Sequence, residues 1–217
     1  MLRDIQSRIY FITPAETTDS KQIFGLVQVA VRSGVGMIQY RAKNQPTRAM
    51  VEEAMALLKI TRPAQVPLII NDRVDVALAV GADGVHVGQQ DMAPHDARRL
   101  MGPHAIVGVT APELSAAREA EHAAASYVSC GPIFASPTKP EKPPVGVEHL
   151  QRLQQAVSLP VCAIGGINEE TIVDLADASP TLIAVGSAIS QADDPAAAAR
   201  RLVEIAAEAI PHISFGP

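Results

Sequence analysis

Eight short apolar runs, each followed by a stretch with helical spacing, constrain the fold of this chain more than any other feature. They occupy residues 9–13, 37–41, 68–71, 84–87, 106–109, 127–130, 161–164 and 182–185. A strand followed by a helix, repeated eight times, predicts an α/β fold with a closed parallel sheet, a single (β/α)8 TIM barrel. We expect one domain over residues 1–217. The alternative is a doubly wound open sheet, which a Gly-x-Gly-x-x-Gly turn after the first run would favour, and the sequence lacks that turn.

The stretches between the runs predict helices with defined faces and starts. One apolar face comprises Val51, Met55 and Leu58, and another comprises Ala198, Leu202, Ile205 and Ala209. Thr110 with Glu113 three residues later matches a capping box. Asp194 before Pro195 predicts an N-cap followed by proline at the first helical position.

Composition narrows the class of protein. Hydrophobic residues make up 47% of the chain and aromatic residues 3%, so the core must be aliphatic, as in buried parallel strands. The net charge of -5 argues against a nucleic-acid partner, and no apolar run is long enough for a membrane helix. The first residues lack a signal peptide's apolar segment, and Cys130 and Cys162 lie in apolar runs. We therefore expect buried reduced thiols and a cytoplasmic protein, although a disulfide between them stays open.

Polar residues follow the apolar runs, and the carboxyl ends of barrel strands form the active face of this fold. In chain order they are Gln39, Arg41 and Lys43, then Asn71, Asp72 and Arg73, then Gln89, Gln90 and Asp91, then Thr110, then Ser136, Thr138 and Lys139, then Gly165 and Gly166, and finally Gly186 and Ser187. The connection over residues 131–146 carries five prolines, and we expect it to be a semi-ordered lid over this face.

Two groups on this face, the glycine turns and the alternating polar residues at the end of the second run, have both a functional and a structural interpretation. Gly165-Gly166 with Gly186-Ser187 on the next strand predicts a phosphate site, although a lone Gly-Gly would be a tight turn. The alternation of Gln39, Arg41 and Lys43 points all three toward the barrel mouth rather than leaving them at a solvated strand end. They are expected to bind phosphate oxygens.

Asp72 and Asp91 follow adjacent strands and could together hold Mg2+. The alternatives are that Asp72 caps a helix or pairs with Arg73, and that Asp91 caps the helix near Pro94. Asn71 would present an amide to the barrel mouth or form a turn. His86, inside a strand, is more typical of a core residue than of a catalyst. The sequence contains no zinc spacing, serine-hydrolase elbow or Walker A sequence.

Taken in order, these residues closely resemble the thiamine phosphate synthase family. The matching segments are residues 39–43, 70–79, 81–91, 131–134, 136–139, 163–167 and 187–190, and the similarity spans roughly residues 9–208. The combination is specific, although no single segment is. The resemblance implies a (β/α)8 barrel that joins a hydroxymethylpyrimidine pyrophosphate to a thiazole phosphate with the help of Mg2+, releasing pyrophosphate.

The resemblance also implies roles for individual residues. The pyrimidine pyrophosphate would be bound by Gln39, Tyr40, Arg41, Ala42, Lys43 and Asn71, with Mg2+ on Asp72 and Asp91. Lys139 would contact the pyrophosphate, and the thiazole phosphate would be held by Ser136, Thr138, Gly166, Gly186 and Ser187. Thr110 and Pro137 would also bind substrate. Arg41, Lys43, Thr110 and Lys139 would be catalytic. The implied partners are small molecules, with no nucleic acid or membrane, and a homo-oligomer stays open.

Some positions depart from the family's usual pattern. Thr110 stands where Ser is common, Ser136 where Thr is usual, and Gly186 where a larger apolar residue is frequent. A related thiazole tautomerase typically has a His where this chain has Pro112, and a weaker metal residue at the position of Asp91. Both differences count against a tautomerase. A phosphosugar isomerase and a non-catalytic barrel that binds thiamine phosphates are the remaining alternatives.

Overall fold

The structure, a computed structural model, describes residues 5–17, 19–136 and 142–210. Eight parallel strands close into a barrel in which each strand pairs with its sequence neighbours and β1 pairs with β8. The strands are β1 (Ile9–Ile12), β2 (Met37–Tyr40), β3 (Leu68–Asn71), β4 (Gly84–Val87), β5 (Ile106–Thr110), β6 (Tyr127–Cys130), β7 (Val161–Ile164) and β8 (Leu182–Val185). The predicted (β/α)8 barrel is confirmed, and the apolar runs mark every strand to within one residue.

Helices surround the barrel. They are α1 (Ser20–Arg32), α2 (Thr47–Thr61), α3 (Val74–Val80), α4 (Pro94–Met101), α5 (Leu114–His122), α6 (Gly146–Ala156), α7 (Ser187–Ser190) and α8 (Pro195–Ala209). Between β7 and β8 the chain forms only a short 3-10 helix, Ile172–Leu175. A turn held by the side chains of Asn168 and Thr171 occupies the first part of this connection.

Two apolar cores result from the alternation of side chains along the strands. The larger core lies between the barrel and its helices. A smaller core fills the barrel interior and contains Tyr10, Met37, Ile69, Ile106, Tyr127, Cys162, Leu182 and Ala184. A residue two positions beyond an interior residue of the same strand also points inward, which places Gln39, Asn71 and Thr110 toward the carboxyl end of the barrel.

The buried faces predicted for α2 and α8 were confirmed only in part, and the predicted N-cap of α8 was confirmed. The face predicted for α2 was confirmed only in part: Leu58 is buried and Val51 partly buried, but Met55 is 52% exposed. Met50, Ala54 and Leu57 are buried as well. On α8, Ala198 and Leu202 are buried as predicted, but Ile205 and Ala209 are only partly buried. Asp194 caps α8 by accepting hydrogen bonds from the N–H groups of Ala196 and Ala197.

The capping box predicted for Thr110 and Glu113 was also wrong. Thr110 is the last residue of β5, and Glu113 itself occupies the N-cap position of α5 without a side-chain hydrogen bond. The inward alternation of β5 outweighs the local capping pattern, because it directs the Thr110 hydroxyl into the barrel. Across the residues described, no helix is long and apolar enough to cross a membrane.

Candidate active site

The rim formed by the carboxyl ends of β2, β3 and β4 brings together one cation and two carboxylates. Lys43, after β2, forms an ion pair with Asp72, after β3. Asp91 lies close enough to Asp72 for each carboxyl group to shift the pKa of the other, and Asp91 also accepts a 2.8 Å hydrogen bond from the N–H of Gly88. The three side chains therefore form a single electrostatic unit at the barrel mouth.

The backbone at Asp72 holds this cluster in place. Asp72 adopts a φ of +63°, in the left-handed region that non-glycine residues seldom occupy. Its N–H donates a 2.8 Å hydrogen bond to the carbonyl oxygen of His86 on the neighbouring strand, beyond the end of the regular β3 ladder. Uncommon backbone geometry of this kind is concentrated at functional sites, where the surrounding contacts maintain it.

The two carboxyl groups differ in acidity. Burial would raise the pKa of Asp72, but the ion pair with Lys43 and the hydrogen bond with Asp91 outweigh it and the pKa is lowered. Burial raises the pKa of Asp91, and the adjacent Asp72 adds to this effect, against the hydrogen bond from Gly88. Two close carboxylates resist double ionisation unless a cation accompanies them. The pair is thus built to accept positive charge.

The structural alternatives for the two aspartates do not hold. Arg73, not Asp72, is the N-cap residue of α3, and the Arg73 guanidinium pairs with Asp75 rather than with Asp72. The N-cap residue of α4 is Ala93, with no side-chain hydrogen bond. Both carboxylates are therefore directed to the rim rather than to helix starts.

The side chains at the end of β2 and just after it divide between the barrel interior and its exterior. Gln39 is buried and donates a 2.6 Å hydrogen bond from Nε2 to the Tyr10 hydroxyl, deeper than the expected rim position. Tyr40 points the opposite way and donates to Glu53 of α2. Ala42 packs against the outer core. For Tyr40, contact with a substrate at the rim can therefore come only from the main chain.

Arg41 is held by a residue that the sequence argument missed. The N–H of Arg41 donates a 2.9 Å hydrogen bond to Oγ1 of Thr13, a buried residue just after β1. Within the described part of the chain, the guanidinium of Arg41 has no hydrogen-bond or ion-pair partner. Its main chain is fixed while its charge is unpaired. The available sequence signal was that the first apolar run ends in a polar residue, Thr13 itself.

A chain of hydrogen bonds crosses the barrel interior and ends at Thr110. The hydroxyl of Tyr10 lies 3.0 Å from that of Tyr127, which lies 2.9 Å from Nδ1 of His86. Nε2 of His86 lies 2.9 Å from Oγ1 of Thr110. Burial lowers the pKa of His86 to about 4, against the attraction of Asp72, so the ring is neutral at physiological pH. The expectation of a satisfied core histidine identified its burial but not this connection.

The loops after β6 and β7 are joined closely through two glycines. Gly165 and Gly166 have φ values of +98° and +68°. A Cβ on Gly166 would lie 2.4 Å from the carbonyl oxygen of Ala135, and one on Gly165 would lie 2.5 Å from Cα of Pro132. The N–H of Phe134 donates to the oxygen of Gly165 at 3.0 Å. Only glycine permits this approach, which gives the Gly165-Gly166 pair a packing role in addition to any ligand role.

The neighbouring turn after β8 is less crowded. Gly186 precedes α7, whose first residue is Ser187. Among the described residues, a Cβ on Gly186 would contact only the carbonyl oxygen of Ile12, at 3.6 Å, so the position has room for a Cβ. Gly186 here leaves that space open.

The remaining predicted residues lie on or near β3, β6 and β7 or outside the described part of the chain. Asn71 ends β3 on the inward side, and its carbonyl oxygen accepts from the N–H of Arg73 at 2.7 Å. Ser136 is partly buried at the end of the described part of the β6 loop. Pro137, Thr138 and Lys139, together with the centre of the expected lid, lie outside the described residues. Cys130 and Cys162 are buried free thiols, as expected.

The comparisons with known proteins agree with one another. The family described as thiamine monophosphate synthase matches residues 9–189. The thiamine-phosphate synthase of Chloroflexus aurantiacus is 48% identical over 196 residues, covering 90% of each chain. That of Roseiflexus castenholzii is 44% identical over 201 residues, covering 92% of this chain and 88% of the relative. The solved thiamine phosphate pyrophosphorylase of Pyrococcus furiosus matches with a TM-score of 0.86 at 34% identity, covering 97% of this chain and 100% of that one.

Proposed function

The chain belongs to the thiamine monophosphate synthase family, and from this premise we propose how its barrel rim performs the family's reaction. The reaction condenses a hydroxymethylpyrimidine pyrophosphate with a thiazole phosphate. The bond between the pyrimidine's exocyclic carbon and the pyrophosphate oxygen breaks, and its electron pair leaves with pyrophosphate. The lone pair of the thiazole nitrogen forms the new carbon–nitrogen bond, which gives thiamine phosphate.

The reaction requires the protein mainly to supply positive charge near the pyrophosphate and to orient the two substrates. The thiazole nitrogen carries no hydrogen, so no base has to remove a proton from the nucleophile. We propose a dissociative substitution in which the pyrimidine's amino group supports a cationic carbon and cationic side chains stabilise the departing pyrophosphate. Catalysis then rests on preorganised electrostatics and on orientation. The neutral, hydrogen-bonded His86 is consistent with a site that needs no strong base.

The observation that carries the proposal is the cluster of Lys43, Asp72 and Asp91 at one rim. Its donor set fits Mg2+, which commonly binds one or two carboxylates and substrate phosphate oxygens. Asp72 and Asp91 would hold the ion, which would offset the charge of the pyrophosphate. The raised pKa of Asp91 beside Asp72 marks a pair that gains from a cation.

Cationic side chains would bind the pyrophosphate directly. Arg41, unpaired within the described residues and fixed through Thr13, is suited to two phosphate oxygens because its guanidinium is a planar fork. Lys43 would exchange part of its ion pair with Asp72 for the substrate. Lys139 would approach from the β6 loop, and that role rests on the family resemblance. Gln39, Asn71 and Thr110 would contact the pyrimidine from the barrel interior.

The thiazole phosphate would bind on the opposite side of the rim. The first N–H groups of a helix have no intrahelical partner, and those of α7, which begins at Ser187 directly after Gly186, would donate to this phosphate. The N–H of Gly166 would join them from the turn after β7. The crowding between Gly166 and Ala135 keeps the β7 turn against the base of the β6 loop. Ser136, Pro137 and Thr138 would close over the phosphate from that loop.

Incubation of the protein with both phosphorylated precursors and Mg2+ tests the proposal. Thiamine phosphate and pyrophosphate should form in equal amounts, and omitting either precursor should abolish both. Calorimetric binding of thiamine phosphate without turnover would instead indicate a non-catalytic barrel. A change in the thiazole precursor alone, without pyrophosphate release, would indicate an isomerase or tautomerase.

A further inference from the structure

The hydrogen-bond chain in the barrel interior has a direction that can be derived by counting protons. Each tyrosine hydroxyl donates only one hydrogen bond, and a neutral imidazole has one donor and one acceptor nitrogen. Nε2 of Gln39 donates to the Tyr10 hydroxyl, whose other partner within the described residues is the Tyr127 hydroxyl. Tyr10 must therefore donate to Tyr127, since its own buried proton would otherwise have no acceptor.

The same count of donors and acceptors extends from Tyr127 through His86 to Thr110 at the rim. Tyr127, having accepted from Tyr10, donates to Nδ1 of His86. Nδ1 is then the acceptor nitrogen, so the proton of the neutral ring resides on Nε2. That N–H donates to Oγ1 of Thr110, 2.9 Å away. The Thr110 hydroxyl proton is left free to donate into the barrel mouth.

Gly108 makes room for the hydrogen-bond chain without contributing a polar side chain. It lies on β5, inward, two residues before Thr110. A Cβ there would lie 2.3 Å from the Tyr127 hydroxyl oxygen and 2.5 Å from Nδ1 of His86. A glycine at this position therefore allows Tyr127 of β6 and His86 of β4 to meet over β5.

We propose that His86 is a positioning residue that acts through Thr110: held in its Nε2–H tautomer by Gln39, Tyr10 and Tyr127, it commits the Thr110 hydroxyl to donating a hydrogen bond to the substrate. The inference deepens the proposed function, because it rests on Thr110 contacting the pyrimidine pyrophosphate. It assigns roles to three residues, Tyr10, His86 and Tyr127, that lie below the rim.

The tautomer can be measured without any activity. Long-range proton–nitrogen NMR spectra distinguish a protonated ring nitrogen from a bare one, and comparison with His86→Gln assigns the His86 signals among the six histidines. The proposal predicts a proton on Nε2 and none on Nδ1. The opposite orientation of the Gln39 amide would reverse every bond in the chain, so a proton on Nδ1 would overturn the proposal.

Kinetic measurements test whether the interior hydrogen-bond chain acts through Thr110. We expect Tyr10→Phe to lower kcat about tenfold, with little change in either KM and with mixed His86 tautomers. Met37→Leu, a change in the same interior core with no hydrogen bond to lose, is the matched control and should retain near wild-type kcat. In a Thr110→Val background, Tyr10→Phe should have no further effect on kcat. A second tenfold loss there would refute action through Thr110.

Replacement of His86 separates positioning from filling space. His86→Gln keeps an N–H that can donate to Thr110, whereas His86→Leu keeps only volume. The Gln variant should retain at least about tenfold more kcat than the Leu variant, with melting temperatures reported for both. Equal kcat values would refute the positioning role. If the wild-type protein makes no thiamine phosphate, the proposed function fails, while the tautomer measurement still decides the direction of the chain.

Discussion

The ammonium group of Lys43 pairs with the carboxylate of Asp72 across the ends of β2 and β3, and this ion pair is partly open to solvent, with the two side chains 44% and 19% exposed. Exposed ion pairs contribute little to stability, typically about 0–1 kcal/mol. The pair is better explained by the charge it presents to a ligand than by the fold it supports.

Lys43→Gln should therefore impair activity far more than stability. We expect kcat/KM to fall at least thirtyfold, which corresponds to ~2 kcal/mol of lost transition-state stabilisation, because a preorganised cation is missing from the pyrophosphate site. Steady-state assays and thermal unfolding measure the two effects. Lys59→Gln, on the exposed side of α2, is the matched control. Parallel losses of activity and melting temperature would assign Lys43 a structural role instead.

Gly166→Ala should weaken binding of the thiazole phosphate. The added Cβ would collide with the carbonyl oxygen of Ala135, at 2.4 Å, and the residue has a φ of +68° that alanine disfavours. We expect KM for the thiazole phosphate to rise about tenfold or more, equivalent to ~1.4 kcal/mol, with a smaller change for the pyrimidine substrate. Gly25→Ala, where a Cβ meets nothing within 4 Å, is the control. A uniform rise in both KM values would refute a specific role for this turn.

Glu53 illustrates a buried polar group that serves the fold. Its carboxylate is 6% exposed and accepts hydrogen bonds from Ser20, Tyr40 and Gln45. Glu53→Ala leaves these donors without their acceptor and should cost about 3 kcal/mol of unfolding free energy. At this chain length the melting temperature should fall by roughly 6–12 °C. The exposed neighbour Glu52→Ala should have no such effect, and equal melting temperatures for the two variants would contradict the assignment.

The two cysteines should be unreactive in the native protein. Burial raises the pKa of Cys130 to about 11, and burial also raises the pKa of Cys162. Both thiols therefore stay protonated at pH 8, whereas unfolding returns them toward their ordinary pKa and exposes them. Iodoacetamide at pH 8 should modify neither thiol in the folded chain and both in guanidinium chloride, as counted by mass spectrometry. Rapid modification of the folded chain would show that a thiol is accessible.

The strands and the rim were predictable from sequence because each depends on a pattern local to one strand. A short apolar run ends where polar residues begin, and parallel connectivity brings those ends together, as at Lys43 and Asp72. The helix α2 was less predictable. Apolar residues surround most of it, so Met50 and Ala54 could not be distinguished from Val51 and Met55 as the buried side.

The interior hydrogen-bond chain could not be predicted because it depends on contacts between strands distant in sequence. Tyr10 and Tyr127 meet only once β1 and β6 face each other across the closed barrel. The left-handed backbone of Asp72 and the anchoring of Arg41 by Thr13 likewise arise from neighbouring strands. Local capping patterns gave the wrong role for Thr110, because strand alternation determined its direction.

The Mg2+ dependence of thiamine phosphate formation tests the central claim most directly. In Asp91→Asn, the concentration of Mg2+ that gives half-maximal activity should rise at least about tenfold, because one of two carboxylate ligands has lost its charge. Asp96→Asn, on the exposed surface of α4, should leave the titration unchanged. A titration for Asp91→Asn that superposes on that of the wild-type protein would contradict a metal site at Asp72 and Asp91.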